Sequence, residues 1–173
     1  MLFEQIVFWL LAGGAILASA LVVLPPGGNN PLYGALTLIL SFFFVAALYV
    51  LLLAHTMAVL QILVYAGAIM VLFTFVIMLL NLSKKELGQE TRTPAKAIGV
   101  LAVGAIAVKT VIVVETQAGL IAPPSAQHLP AGFGTVAAMG DTLFHNYLVP
   151  FELTGVLLLV AVVGAVILAK RTL

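Results

Sequence analysis

The stretch VLQILVYAGAIMVLFTFVIMLLN, from Val59 to Asn81, contains no Asp, Glu, Lys, Arg or His. At a rise of about 1.5 Å per residue, about 20 helical residues cross a hydrocarbon core about 30 Å thick. The run is apolar on every side rather than along one stripe, which marks a helix surrounded by lipid or by other helices. In lipid each backbone N–H and C=O must find its partner within the segment, so this stretch is expected to be a transmembrane α-helix.

The rest of the chain follows the same pattern. Its 173 residues are 64% hydrophobic and 8% charged, where a soluble domain carries about 25% charged residues. Between Glu4 and Lys84 there is no Asp, Glu, Lys or Arg. No folded surface of that length could face water, which excludes a soluble monomer. Runs long enough to span lie at approximately 6–24, 32–54, 57–82, 97–116 and 151–169. The expected fold is all-α, a single membrane domain over residues 1–173 with five transmembrane helices. Ala18-Ser19-Ala20 has the form of a signal cleavage site, but Glu4 stands where a basic n-region belongs, so the first run is read as a span.

The breaks between runs have separate causes. PPGGNNP, Pro25 to Pro31, stacks helix breakers into one short loop. Near His55 no Gly or Pro marks a corner, yet an unbroken helix from Leu32 to Leu82 would be roughly 75 Å long, so a tight turn is required there. SKKELGQETRTPAK, Ser83 to Lys96, is a solvated connection, with Pro94 suited to the first turn of the next helix. The segment 117–150 is the one long loop, and Thr135 to Tyr147 fits a short helix at the interface. With five spans, Lys84, Lys85, Arg92, Lys96, Lys170 and Arg171 share one side, and no Lys or Arg falls on the other. The positive-inside rule then sets the N-terminus and the 117–150 loop outside and the C-terminus in the cytoplasm.

Several function classes are excluded. Seven Lys and Arg build no phosphate-binding face, so no nucleic-acid partner is expected. Zero Cys removes disulfides, thiolate-held iron-sulfur clusters and covalent c-type haem, and the three His stand apart at 55, 128 and 145. No nucleophile with a base, paired catalytic carboxylates or phosphate loop is present, so no catalytic, cofactor or metal residue is assigned to this chain.

The third run carries a local anomaly. Ala66-Gly67-Ala68 removes bulk from three successive positions beside Tyr65, whose hydroxyl needs a partner. Such a notch lets a neighbouring helix approach closely, and a mid-helix Gly also weakens the local ladder where π-bulges occur. A packing notch and a conformational hinge both fit. Two ionisable residues fall inside spans. Glu152 lies one residue into the fifth, where it could cap the helix, meet a neighbouring subunit or join a proton path. Lys109 lies well inside the fourth, six positions before Glu115 and so off the pairing spacing. It either snorkels, pairs with another chain or relays protons. Glu4, Asp141, His128 and His145 fall at the outer surface, and Ala161, Ala165 and Ala169 form a packing stripe.

VYAGAIMVLF with the trailing FVIMLLN resembles the third span of subunit J of the proton-translocating NADH-quinone oxidoreductase, respiratory complex I, equivalent to chain six of the mitochondrial enzyme. YLVPFELTGVLLLVAVVGAVILAKR, Tyr147 to Arg171, resembles that family's fifth span, and the Asn30-Pro31 start of the second span agrees. The resemblance implies a non-catalytic subunit of this translocase in the bacterial inner membrane. FMN, iron-sulfur clusters, NADH and quinone would belong to partner subunits. The partners it implies are the other membrane-arm chains: the small four-helix and three-helix types, the quinone-site chain and the antiporter-like chains. It also implies a third span whose π-bulge converts to α-helix, carried here by Tyr65, Ala66, Gly67, Ala68, Ile69, Met70 and Val71. Some members have Glu where this chain has Gln61, so no carboxylate role transfers there. The alternatives are the homologous subunit of a ferredoxin- or hydrogenase-driven complex or of a cation antiporter assembly, and a free-standing channel or transporter. The lack of internal repeats and of paired buried charges weighs against the last.

The orientation has a direct check. A cysteine at Lys85 or Arg171 is expected to be shielded from impermeant thiol reagents in intact cells, while one at Gln127 is labelled. Labelling of Lys85→Cys from outside would overturn both the orientation and the span count.

Overall fold

The computed structural model describes residues 2–23, 30–80, 94–118, 130 and 132–170. Among them the regular structure is entirely helical. In order these are α1 (Leu2–Val23), α2 (Pro31–Leu51), α3 (His55–Leu60), a π-helical segment (Gln61–Ile69), α4 (Met70–Leu80), α5 (Pro94–Ala118), α6 (Val136–Asn146) and α7 (Leu148–Ala169). The α3, π and α4 pieces form one rod, because Leu60, Gln61 and Met70 all keep right-handed helical dihedrals across the junctions. Four helices are long and apolar enough to cross a membrane: Leu2–Val23, Pro31–Leu51, the rod His55–Leu80, and Leu148–Ala169. The Lys84–Arg92 connection and the Gln127 position lie outside the described residues.

The packing is inverted relative to a soluble domain. Among the described residues the buried side chains are Ala18, Ala35, Ser41, Ala46, Ala58, Ala66 and Met70, while the large apolar residues point outward. Between helices in lipid there is no hydrophobic drive to bury Leu or Phe, and small residues let backbones close on one another instead. Helix α2 is the hub, packing on α1 along one flank and on α3, the π segment and α4 along the other. At the first seam the Phe44 ring lies so close over Gly14 that a Cβ there would sit 2.6 Å from it. Ser19 donates to the Ala15 carbonyl at 2.8 Å, so the 2.9 Å contact between the Ser19 and Ser41 hydroxyls has Ser41 as donor. Thr74, Thr110 and Thr154 likewise donate to carbonyls four residues back in their own helices, which pairs each of these hydroxyl protons in an apolar surround.

Local chemistry sets the helix ends. Asn30 caps α2, its side chain accepting from Leu32 N–H at 3.1 Å, with Pro31 as the first helical residue. The turn expected near His55 is a Schellman closure. Ala54 N–H donates to Tyr49 O at 2.9 Å and Leu53 N–H to Val50 O at 3.0 Å. Its left-handed position, normally glycine, is Leu53 at φ 59°, which explains why no Gly marks the corner. Thr135 caps α6 by accepting from Ala138 N–H, and an edge-to-face contact between Phe144 and Phe151, 5.0 Å between centroids, ties α6 to α7.

A left-handed L-residue costs about 1–2 kcal/mol, and β-branching worsens it. Replacements at Leu53 are therefore expected to rank Gly and Asn at or above Leu in thermal stability of the detergent-solubilised protein. Leu53→Val is expected to lie below by about 1 kcal/mol or more. A Val variant as stable as the parent would show that this φ is not the constraint.

Candidate functional site

The rod His55–Leu80 changes its hydrogen-bond step partway along. At its start Gln61 N–H reaches Ala58 O and Met57 O, the tight spacing of an α-helix. At the end of the π segment Met70 N–H donates to Tyr65 O, five residues back. The wider turn moves each carbonyl under a later residue, and a Cβ on Gly67 would lie 3.2 Å from Ile62 O, its i−5 neighbour. The missing side chain accommodates that approach.

The wide turn also keeps the rod in register with α2. Its buried side chains are Ala58, Ala66 and Met70. At about 100° per residue, an unbroken α-helix would carry Ala66 about 80° and Met70 about 120° around the axis from Ala58. A π turn spends nearly one residue more, about 80° per residue, which returns all three close to one face. Tyr65, next to this face, is 50% exposed, and its ring meets Phe42 of α2 edge-on at 5.8 Å and 69°. Its hydroxyl has no hydrogen-bond partner among the described residues. Ala68, Ile69 and Val71 face away from the seam.

The two ionisable candidates lie apart from this seam. Lys109 is exposed on α5, with neither Glu115 nor any other described residue as ion-pair partner. Glu152 is also exposed, but α7 starts at Leu148, earlier than the sequence pattern implies. Glu152 is thus beyond the first turn, whose free N–H groups it cannot cap; Pro150 instead occupies that turn, where its missing N–H costs nothing. On α6, Asp141 and His145 approach to 3.1 Å as an exposed i,i+4 pair, worth little in water.

Sequence reasoning missed an interlock at the start of the rod. The Gly134 carbonyl accepts Thr56 N–H at 3.0 Å and Thr56 Oγ1–H at 2.8 Å. Gly132 and Gly134 both have positive φ, 81° and 75°. The one available signal was the Gly-Phe-Gly-Thr run ahead of a helix, which marks a tight turn but not what it touches.

Outward-facing large side chains, seams of Ala, Ser and Gly, and a π turn within a spanning rod define a polytopic helical membrane protein. The family model of NADH-ubiquinone/plastoquinone oxidoreductase chain 6 matches residues 27–168, and the chain belongs to that family. It is 37% identical over 142 residues to NADH-quinone oxidoreductase subunit J of Rhodobacter capsulatus, covering 82% of this chain and 70% of that one. Subunit J of Pseudomonas aeruginosa is 36% identical over 141 residues, with 82% and 83% covered. NAD(P)H-quinone oxidoreductase subunit 6 of the Paulinella chromatophora organellar chromatophore is 38% identical over 146 residues, with 82% and 67% covered.

Lys109→Met keeps the stem and removes the charge. Membrane insertion and assembly are expected to survive: if α5 crosses the membrane, loss of an unpaired ammonium relieves a cost of about 2.5–3.5 kcal/mol on insertion scales. Proton pumping is expected to survive with them. Normal electron transfer with pumping lost would make Lys109 a relay.

Proposed function

We propose that this chain is a membrane-arm subunit of a proton-translocating NADH-quinone oxidoreductase, and that its rod His55–Leu80 couples electron transfer to proton movement by changing register. The subunit performs no redox chemistry itself. NADH, FMN, iron-sulfur clusters and quinone belong to partner chains, and the membrane is the bacterial inner membrane. In this reading α5 is a fifth crossing: its 25 residues would reach about 37 Å. The basic residues of 84–96 and 170–171 then share the cytoplasmic side, with the N-terminus and the 117–150 loop outside. The partners are the small helical chains, the quinone-site chain and the antiporter-like chains of the same arm.

The observation that carries the coupling role is the π segment at Gln61–Ile69. If it rewinds to α-helix while α3 stays in place, Tyr65 and Ile69 fall within about 20° of the direction of Ala58, which faces α2. Two residue sets can thus occupy one seam, which is what a two-state element requires. At about 20° more per residue over the nine residues of the segment, rewinding turns Met70, Val71 and Phe73 by about 160–180° and can open or close a water path without a titratable group in this chain. A static packing notch is the second reading, favoured by the burial of Ala66 against α2.

Gly67→Val separates the two. The added Cβ crowds Ile62 O and so disfavours the wide turn. The complex is expected to assemble and oxidise NADH, with protons pumped per NADH falling about twofold or more as one register is depopulated. An unchanged ratio in assembled complex would refute the switch, and failure to assemble would support the notch.

A further inference from the structure

The rod is capped from outside itself. Thr56 is the second residue of α3, where a helix leaves its N–H without an internal acceptor. Ala54, in the N-cap position, supplies no side-chain oxygen. The acceptor is instead the Gly134 carbonyl, which takes both the N–H and the hydroxyl of Thr56 at 3.0 and 2.8 Å. A peptide carbonyl 78 residues away in sequence thus takes the part that Asn or Ser plays at other helix starts.

The contact is steric as well as polar. A Cβ on Gly134 would overlap the Leu53 carbonyl oxygen and lie 3.2 Å from the Ala54 Cα, so the two backbones touch with no side chain between them. Leu53 is the left-handed residue of that turn, a conformation that persists only where its surroundings over-determine it. On the other partner, Gly134 leads through Thr135 into α6, which is pinned to α7 by Phe144 and Phe151. Past this point α3 and α6 diverge around an apolar groove of about 470 Å³ bordered by Met57, Ala138, Met139 and Leu143, so the backbone contact at Gly134 is the join.

The opposite end of the rod is held differently. Met70 is the one buried side chain of α4, and the Thr74 hydroxyl turns back onto Met70 O in its own helix at 2.7 Å. Leu72, Met78, Leu79 and Leu80 are exposed. One end is tied to a separate pair of helices through backbone atoms, and the other, among the described residues, packs on α2 alone, with Met70 buried and Thr74 and Ile77 half-buried.

We propose that Thr56 and Gly134 are positioning residues that hold α3 stationary, so that a register change in the π segment turns α4 and leaves α3 where it is. The inference rests on the switch reading above and adds its direction: the 132–135 turn, carried by α6 and α7, is the fixed mount. A switch without a mount would divide its rotation between both halves and move Ala58 off α2.

The test uses the assembled complex in membrane vesicles, with the photoreactive amino acid benzoyl-phenylalanine in place of either Val59 on α3 or Leu72 on α4, both exposed. Cross-linked products are compared at rest and during NADH oxidation. The products from position 72 are expected to change on turnover and those from position 59 to stay the same. A change at position 59 would overturn the mount while leaving the switch standing; no change at either position would overturn the switch itself. Thr56→Val keeps the side-chain volume and the backbone N–H but removes the hydroxyl donor. It is expected to make the products from position 59 turnover-dependent, with their yield ratio shifting about fivefold, as for loss of one net hydrogen bond, and Thr56→Ser is expected to restore the parent pattern. Position 59 remaining indifferent to turnover in Thr56→Val would remove Thr56 from the mount.

Discussion

The close approach of α2 to the helices on either side of it is the constraint on which the rest of the structure depends. In lipid, proximity comes from the absence of bulk, and here it comes from Ala18, Ala35, Ser41, Ala46, Ala58 and Ala66. Once those seams are fixed, the rod opposite α2 has to keep its small residues turned inward over its whole length. A regular α-helix cannot do this for Ala58, Ala66 and Met70 together. The π turn is the local solution, and the bare Gly67 relieves one close approach within it, to Ile62 O.

The sequence revealed those parts of the structure that depend on local composition. Helices over the hydrophobic runs, the Asn30-Pro31 start and the short helix beginning after Thr135 all follow from neighbouring residues, and the family was legible in two long apolar motifs. The notch at Tyr65–Ala68 was visible too, but not the length of the π segment, because that depends on which carbonyl each N–H chooses. The corner at Leu53 was legible from helix length alone and not from its residues: a Schellman closure normally announces itself with glycine, and here leucine takes the strained position. The Gly134–Thr56 contact was invisible because nothing local relates two residues that far apart. Glu152 was misplaced within its helix because Leu148 and Val149 continue the helix upstream of Pro150, and a proline in the first turn looks like a boundary in sequence.

The contrast between Lys109 and the rod bears on how such a subunit works. Lys109 attracts attention as a charge inside an apolar helix, yet it engages no described residue. The rod contains no Asp, Glu, Lys or Arg, and under the proposed register change a second set of its residues would face α2. In the proposed switch the change would lie in backbone hydrogen-bond topology, with every group staying paired as the partner shifts from five residues back to four. Such an exchange avoids exposing an unsatisfied amide to lipid, which would be expensive.

The π turn also alters the length of the rod. A stretch that spends nearly one more residue on each turn is shorter than an α-helix of the same residue count. Rewinding it would therefore lengthen the span as well as rotate it. Since membrane spans are matched to the thickness of the hydrocarbon layer at a cost of fractions of a kcal/mol per Å, the proposed register change would be linked to bilayer thickness. A thicker, more ordered bilayer would favour the elongated form and a thinner one the compact form, making the surrounding lipid a mechanical input to the helix.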